Sequence, residues 1–306
     1  MRLFLASLLL TATASAQTWD YDVALDSAYT LARADDLEGA LDWYEVAFSR
    51  AAPTNPFVPF GAAEDAMRVG RPRQAVSFLH LAAKTGFASV LYAHRVDSFE
   101  PLRGRAWDGW IDAVHRAQAL RLPDYDEASA RDVIRLALEA ERVADQRHDL
   151  EGDSTLSDID RESRVAALDA VDHAVASQAV VLFEDRGWPR ESVVGEAGAE
   201  SARALIGRLP PDGRERFLPA YRAAVEDGEA DADRYIEAVD QHRVDTGHPQ
   251  LYGTAFWWDD GAEESVSYPL EDGADEQRAE LGLASLREWF DRMSRSWPPR
   301  FGWPTE

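Results

Sequence analysis

An alanine, a bulky residue one turn later and a second alanine recur at helical spacing: Ala40, Tyr44 and Ala47, then Ala75, Leu79 and Ala82, 35 residues further on. Residues at i, i+4 and i+7 share one helix face. Alanine where helices cross lets the neighbour approach closely, and the larger side chain fills the space beside it. The register extends outside these two segments. Ala28 and Ala63 hold equivalent places on the preceding helices, and Asp35 and Gly70 hold equivalent turns. A weaker third copy runs through Trp110, Val114 and Ala117. Such a chain stacks helix pairs, each burying its face on the next, and two clear copies need a cap. Phe99, Leu102, Trp107 and Trp110 supply one, and Pro123 breaks the pattern, so the array with its capping helix spans 17–122.

From Asp126 the periodicity is again helical. Val133, Leu136, Ala137, Ala140, Val143 and Ala144 form a stripe, with Arg135, Glu139 and Arg142 away from it. A second helix is expected over about 160–184, ending at Gly187 and Pro189, a C-cap residue and a helix breaker. Further helices are expected at 198–208, 212–227 and 230–244. "LYGTAFWW" and "SVSYPLE" then read as a hairpin near 250–270, and a last helix carries Leu281, Leu283, Leu286, Trp289, Phe290 and Met293. This second domain covers 123–295, and 296–306 is a tail too rich in proline for regular structure. The fold class is mainly α: a helical array followed by a helical domain with a small C-terminal β-hairpin.

The first residues, MRLFLASLLLTATASAQ, have the three parts of a secretory signal: one positive charge, a short apolar run and Ala14-Ser15-Ala16 before Gln17. The apolar run is far shorter than the roughly 20 residues of a span, and no later segment reads as long and apolar enough, so no stable membrane anchor is expected. The reading is cleavage after Ala16 and a periplasmic or extracellular location. There is no cysteine, which excludes disulfides, thiolate metal sites and lipid attachment through cysteine. Lysine plus arginine is 32 against 56 acidic residues, a net charge of −24, and Lys84 is the single lysine. That balance repels nucleic acid and anionic membranes. It reads as the solvated acidic coat of a salt-adapted, halophilic protein rather than a dedicated cation site.

The alanine register resembles tetratricopeptide repeats, which implies a protein- or peptide-docking surface. The second half is similar to a bacterial family of uncharacterised domains, number 6624, whose members often follow a signal peptide and such repeats. The similarity rests on Asp145-Gln146, Asp172, Gly187-Trp188-Pro189, Val194-Gly195, Asp240 and Gln250-Leu251-Tyr252-Gly253-Thr254, and covers roughly 126–292. The chain departs from the family where Gly207-Arg208 replaces Gln-His, Asp240-Gln241 replaces Asp-Arg, Ala255 replaces a glutamine and Val175 replaces an asparagine. The family's histidine is therefore missing from its place.

Asp145, Asp172 and Asp240, with Gln250 and Tyr252, are the candidate polar cleft, closed by the hairpin. Converging carboxylates can bind a hard cation or divide acid and base roles. As ordinary scaffold they would instead cap helices or pair with arginine. Among the chemical signatures, His242 and His248 do not have the i, i+4 spacing of a helical zinc pair, and no nucleophile elbow or phosphate-cradling loop is present. No catalytic residue, metal ligand or cofactor is assigned. The sequence reads as an exported binding or scaffold protein, "GWP" and "YGT" serving mainly packing. The alternative is a cation-assisted hydrolase using the carboxylates.

Overall fold

Asp36 and Pro72 start the second helix of each helix pair by different means. Asp36 accepts from Gly39 N at 3.0 Å, whereas Pro72 occupies the first turn, where its missing N–H costs nothing. The computed structural model describes residues 20–258 and 265–296. The expected signal peptide, the hairpin turn and nearly all of the tail lie outside those residues. The chain divides into two compact units meeting at Pro123 and Asp124.

The first unit is entirely helical in its described part. It runs α1 (20–33), α2 (Leu37–Arg50), α3 (Phe57–Arg68), α4 (Pro72–Thr85), α5 (Val90–His94), a 3-10 helix (Asp97–Leu102) and α6 (Arg105–Arg121). α3 packs on α2 and α4, and α4 on α6. All of Ala28, Ala40, Ala47, Ala63, Ala75 and Ala82 are completely buried, with Tyr44 and Leu79 nearly so. The two turns also share a backbone state: Asp35 has φ +62° and Gly70 has φ +73°. In the third copy, α5 and the 3-10 helix replace the first helix of the pair. Trp110 and Val114 are buried, while Ala117 is only half-buried.

The second unit begins with two long helices, α7 (Glu127–Gly152) and α8 (Asp158–Arg186). α9 (Glu191–Ile206), α10 (Pro211–Glu226) and α11 (Ala232–Asp245) follow. α7 packs on both α8 and α9, and α10 on α11. α9 starts earlier than the sequence suggests, because the chain passes through Gly195 at φ +70° as a kink and stays helical on both sides. Two strands, β1 (Phe256–Trp258) and β2 (Ser265–Ser267), pair antiparallel. α12 (Ala274–Glu280) and α13 (Leu286–Ser296) complete the unit.

Two expectations are corrected. Leu281 and Leu283 are not on the last helix: α12 ends at Glu280, the chain turns through Gly282 at φ +70°, and a capping box restarts it at Ser285, whose hydroxyl accepts from Glu288 N at 3.3 Å while the Glu288 carboxylate accepts from Ser285 N at 3.1 Å. α8 does contain a stretch as long and apolar as a membrane span, with mean hydropathy 1.4. Its apolar character comes largely from alanine and valine and is broken by Asp169 and Asp172. Only 17% of that stretch is buried; Val175, Ala176, Ala179 and Phe183 on this helix are buried, while Val181 is 55% exposed.

Candidate functional site

Asp240, on α11, is completely buried. Its Oδ1 accepts from the backbone N–H of Leu251 at 2.7 Å and of Tyr252 at 2.9 Å. Its Oδ2 accepts from Thr254 N at 2.8 Å and from the Thr254 hydroxyl at 2.7 Å. Four donors on one carboxylate match its capacity. Gln250, also completely buried, donates from Nε2 to Tyr268 O at 2.7 Å and accepts on Oε1 from Ala255 N at 2.8 Å. The Tyr252 carbonyl accepts from the buried Arg278 at 3.1 Å, and Arg278 also donates to Ala284 O at 2.7 Å. Gly253 sits at φ +79°, where a Cβ would come within 2.7 Å of the Leu286 side chain. The Gln-Leu-Tyr-Gly-Thr stretch is thus folded into a tight loop around one aspartate.

A line of rings connects this loop to Gly187-Trp188-Pro189. Trp188 lies against Phe183 at 5.5 Å and stacks on Tyr221 at 4.1 Å; Tyr221 meets Tyr235 at 5.3 Å, and Tyr235 meets Tyr252 at 6.3 Å. The hydroxyls of Tyr235 and Tyr252 are hydrogen-bonded. Burial pushes the Tyr235 hydroxyl up to about 12 and raises that of Tyr252 as well. Both phenols stay neutral and serve as packing and hydrogen-bonding groups.

Of the five cleft candidates, Asp240 bonds directly to Tyr252, and Gln250 ties the same loop through Ala255 and Tyr268; all three lie in the interior. Asp172 belongs to another cluster: Arg208 donates to it at 3.4 Å and stands 4.0 Å from Glu141. Asp172 is partly exposed there and Glu141 buried. Asp145 is half-buried, four residues beyond Glu141 on α7. Arg208, at the place where the family resemblance implies histidine, reaches both acids and offsets one of their two charges. The described contacts of Asp172 and Asp240 have no residue in common. Among the described residues no three His, Asp or Glu side chains gather at metal-ligand spacing.

An exposed aromatic pair lies on the array. Phe57, at the start of α3, is 60% exposed, and Tyr92, on α5, is 50% exposed. They are 35 residues apart, the repeat period, so they take equivalent positions on the first helices of successive pairs. Between them the buried rings of Phe60 and Phe87 stack at 4.1 Å; Phe57 packs edge-on to Phe87 at 5.4 Å, and Tyr92 lies 5.7 Å from Phe60. Anchoring on buried rings holds both exposed side chains in place. One turn along from Phe57, Gly61 leaves open space, with nothing within 4 Å of where a Cβ would stand. Acidic groups complete the face: Asp22 holds the same register on α1, Asp26 lies one turn on, and Glu64 follows Gly61 on α3.

No family model, curated protein or solved structure matches this chain. The 35-residue separation of Phe57 and Tyr92 is visible in the sequence, but the alanines that carry the period mark buried crossings and do not point to exposed aromatics. Arg278 had no comparable mark, being one arginine among many.

Proposed function

We propose that this chain is an exported docking protein whose helical array binds an extended, basic peptide segment of a partner. The observation that carries this reading is the pair Phe57 and Tyr92, exposed at repeat spacing on a bed of buried rings. Large exposed aromatics of this kind are the side chains that dominate protein interfaces. The open floor at Gly61 has room for a partner side chain beside Phe57. Asp22, Asp26 and Glu64, on a chain of net charge −24, favour lysine or arginine in the partner. An open face, unlike a closed cavity, suits a chain segment better than a small molecule.

Export belongs to the same proposal and rests on the pattern of residues 1–16. Membership of the second unit in family 6624 rests on the matched residues, whose GWP and YGT motifs have a shared packing reason in the ring line. The hydrolase alternative has less support, since every acceptor of Asp240 is engaged and Asp172 is paired with Arg208.

Selection from a random peptide display library tests the docking reading. Wild-type protein should enrich peptides that combine an apolar or aromatic residue with lysine or arginine, and the Phe57→Ala/Tyr92→Ala protein should not. Failure to enrich any common pattern, or the same pattern with both proteins, would overturn it.

A further inference from the structure

The Gly187-Trp188-Pro189 loop borders a half-open cavity of about 360 Å³ within the second unit, its rim exposed at Arg186, Gly187, Ala220 and Ala223. Its walls are apolar, from Val133 on α7, Leu182 on α8, Val193 on α9, and Ala220 and Ala223 on α10. Only two charged side chains line it, Arg186 and Arg190, and both are arginines in a strongly acidic chain. We propose that this cavity binds a small amphipathic carboxylate, its apolar body inside and its carboxylate on the two guanidinium groups. The site lies wholly in the second unit and does not depend on the docking face of the array.

The cavity is preformed because the loop that borders it is tied from several directions. Trp188 is pinned beneath by its stack on Tyr221, so the loop cannot drop into the space. Gly187, at φ +77°, and Pro189 set the sharp reversal out of α8. Val193 O accepts from Asp126 N at 2.8 Å, and Glu191 N donates to Glu229 O at 3.1 Å, which fixes the start of α9. Small Ala220 and Ala223 leave the volume that larger side chains would fill. At about 30 Å³ per water-sized group, the space takes on the order of twelve non-hydrogen atoms.

Both arginines are held with donors to spare. Arg186 donates from Nη1 to the Ser129 hydroxyl at 2.8 Å and from Nη2 to Asp132 at 2.9 Å, and Arg190 pairs with Asp227 at 2.7 Å. Asp132 and Asp227 are not among the lining residues, so they steady the guanidinium groups without presenting negative charge to the cavity. A guanidinium has five N–H donors in a planar fork suited to carboxylate oxygens. With side chains 42% and 41% exposed, neither arginine is sealed off from an incoming anion. The opposite ligand charge is disfavoured, because an ammonium would meet two fixed cations.

Calorimetric titration of the full-length protein with octanoate, octanol and octylamine tests this. Octanoate should bind at least about tenfold more tightly than either analogue. Arg186→Gln and Arg190→Gln, confirmed as folded by circular dichroism, should each remove most of that preference. Ala223→Phe, on a partly open helix face, should abolish octanoate binding by filling the cavity and leave the fold unchanged. No octanoate binding by folded wild-type protein overturns the proposal. Equal binding of octanol, or octanoate binding unaffected in all three variants, overturns it as well.

Discussion

Thr254 gives both its backbone N–H and its hydroxyl to a single oxygen of the buried Asp240, at 2.8 and 2.7 Å. With Leu251 and Tyr252 on the other oxygen, one carboxylate organises the loop that follows α11. Asparagine would present an NH2 to two of these donors. Asp240→Asn should therefore cost about 3–5 kcal/mol, in the range for buried charged groups that lose their partners. Asp172→Asn breaks only a partly exposed pair with Arg208 at 3.4 Å and should cost about 0–1 kcal/mol. Urea unfolding of both variants checks the contrast; equal losses would place both aspartates in one class.

The paired turns at Asp35 and Gly70 make opposite predictions. Both are left-handed, a state that costs a residue with a Cβ roughly 1 kcal/mol and costs glycine little. Gly70→Asp should destabilise by about 1 kcal/mol, while Asp35→Gly should be neutral or stabilising by up to about 1 kcal/mol. The Asp35–Arg68 pair that the second change removes is exposed and contributes little. Denaturant midpoints of the two single variants measure both signs.

His242 makes stability depend on pH. Burial, and then the Arg214 guanidinium, hold its imidazole below the usual range. An unfolded imidazole titrates near 6.5, so as the pH falls the unfolded chain takes up this proton first. The contribution is complete above about 6.5 and is lost as the pH falls through the lower folded value. Between pH 7 and pH 5, wild-type protein should lose more stability than His242→Gln, which has no proton to gain. Parallel curves for the two proteins would remove this role.

The charge of −24 predicts a salt effect. Added ions screen repulsion over about 10 Å at 0.1 M, so the melting temperature should rise with sodium chloride, mostly at the low end. A flat series would mean that arginine pairs such as Arg131–Glu127 and Arg190–Asp227 already balance the field locally.

The array was legible because its period is written in small residues. Each alanine marks a helix crossing, and the order Ala28, Ala40, Ala63, Ala75 fixes which helices meet. The Asp240 site was legible only as a set of polar residues. Asp240, Gln250 and Tyr252 do meet, but what joins them is backbone N–H groups, which have no letter in a sequence. Burial was equally hidden: Asp172 and Asp240 are the same residue type on helices, yet one is partly exposed and the other enclosed. The kink at Gly195 and the break at Gly282 were missed for a related reason. Glycine permits a positive φ, and only the surrounding packing decides whether the helix resumes after it.

Titration of a display-selected peptide against the array, followed by fluorescence anisotropy, tests docking most directly. Truncating a central interface aromatic costs about 2 kcal/mol or more, so Phe57→Ala/Tyr92→Ala should weaken binding by at least about tenfold. The double variant should keep its melting temperature within a few degrees, since both side chains are exposed in the free protein. Binding should also weaken as salt rises, through the acidic flank of Asp22, Asp26 and Glu64. Unchanged affinity in a folded double variant would contradict the account and leave the aromatic pair as surface packing of the repeat.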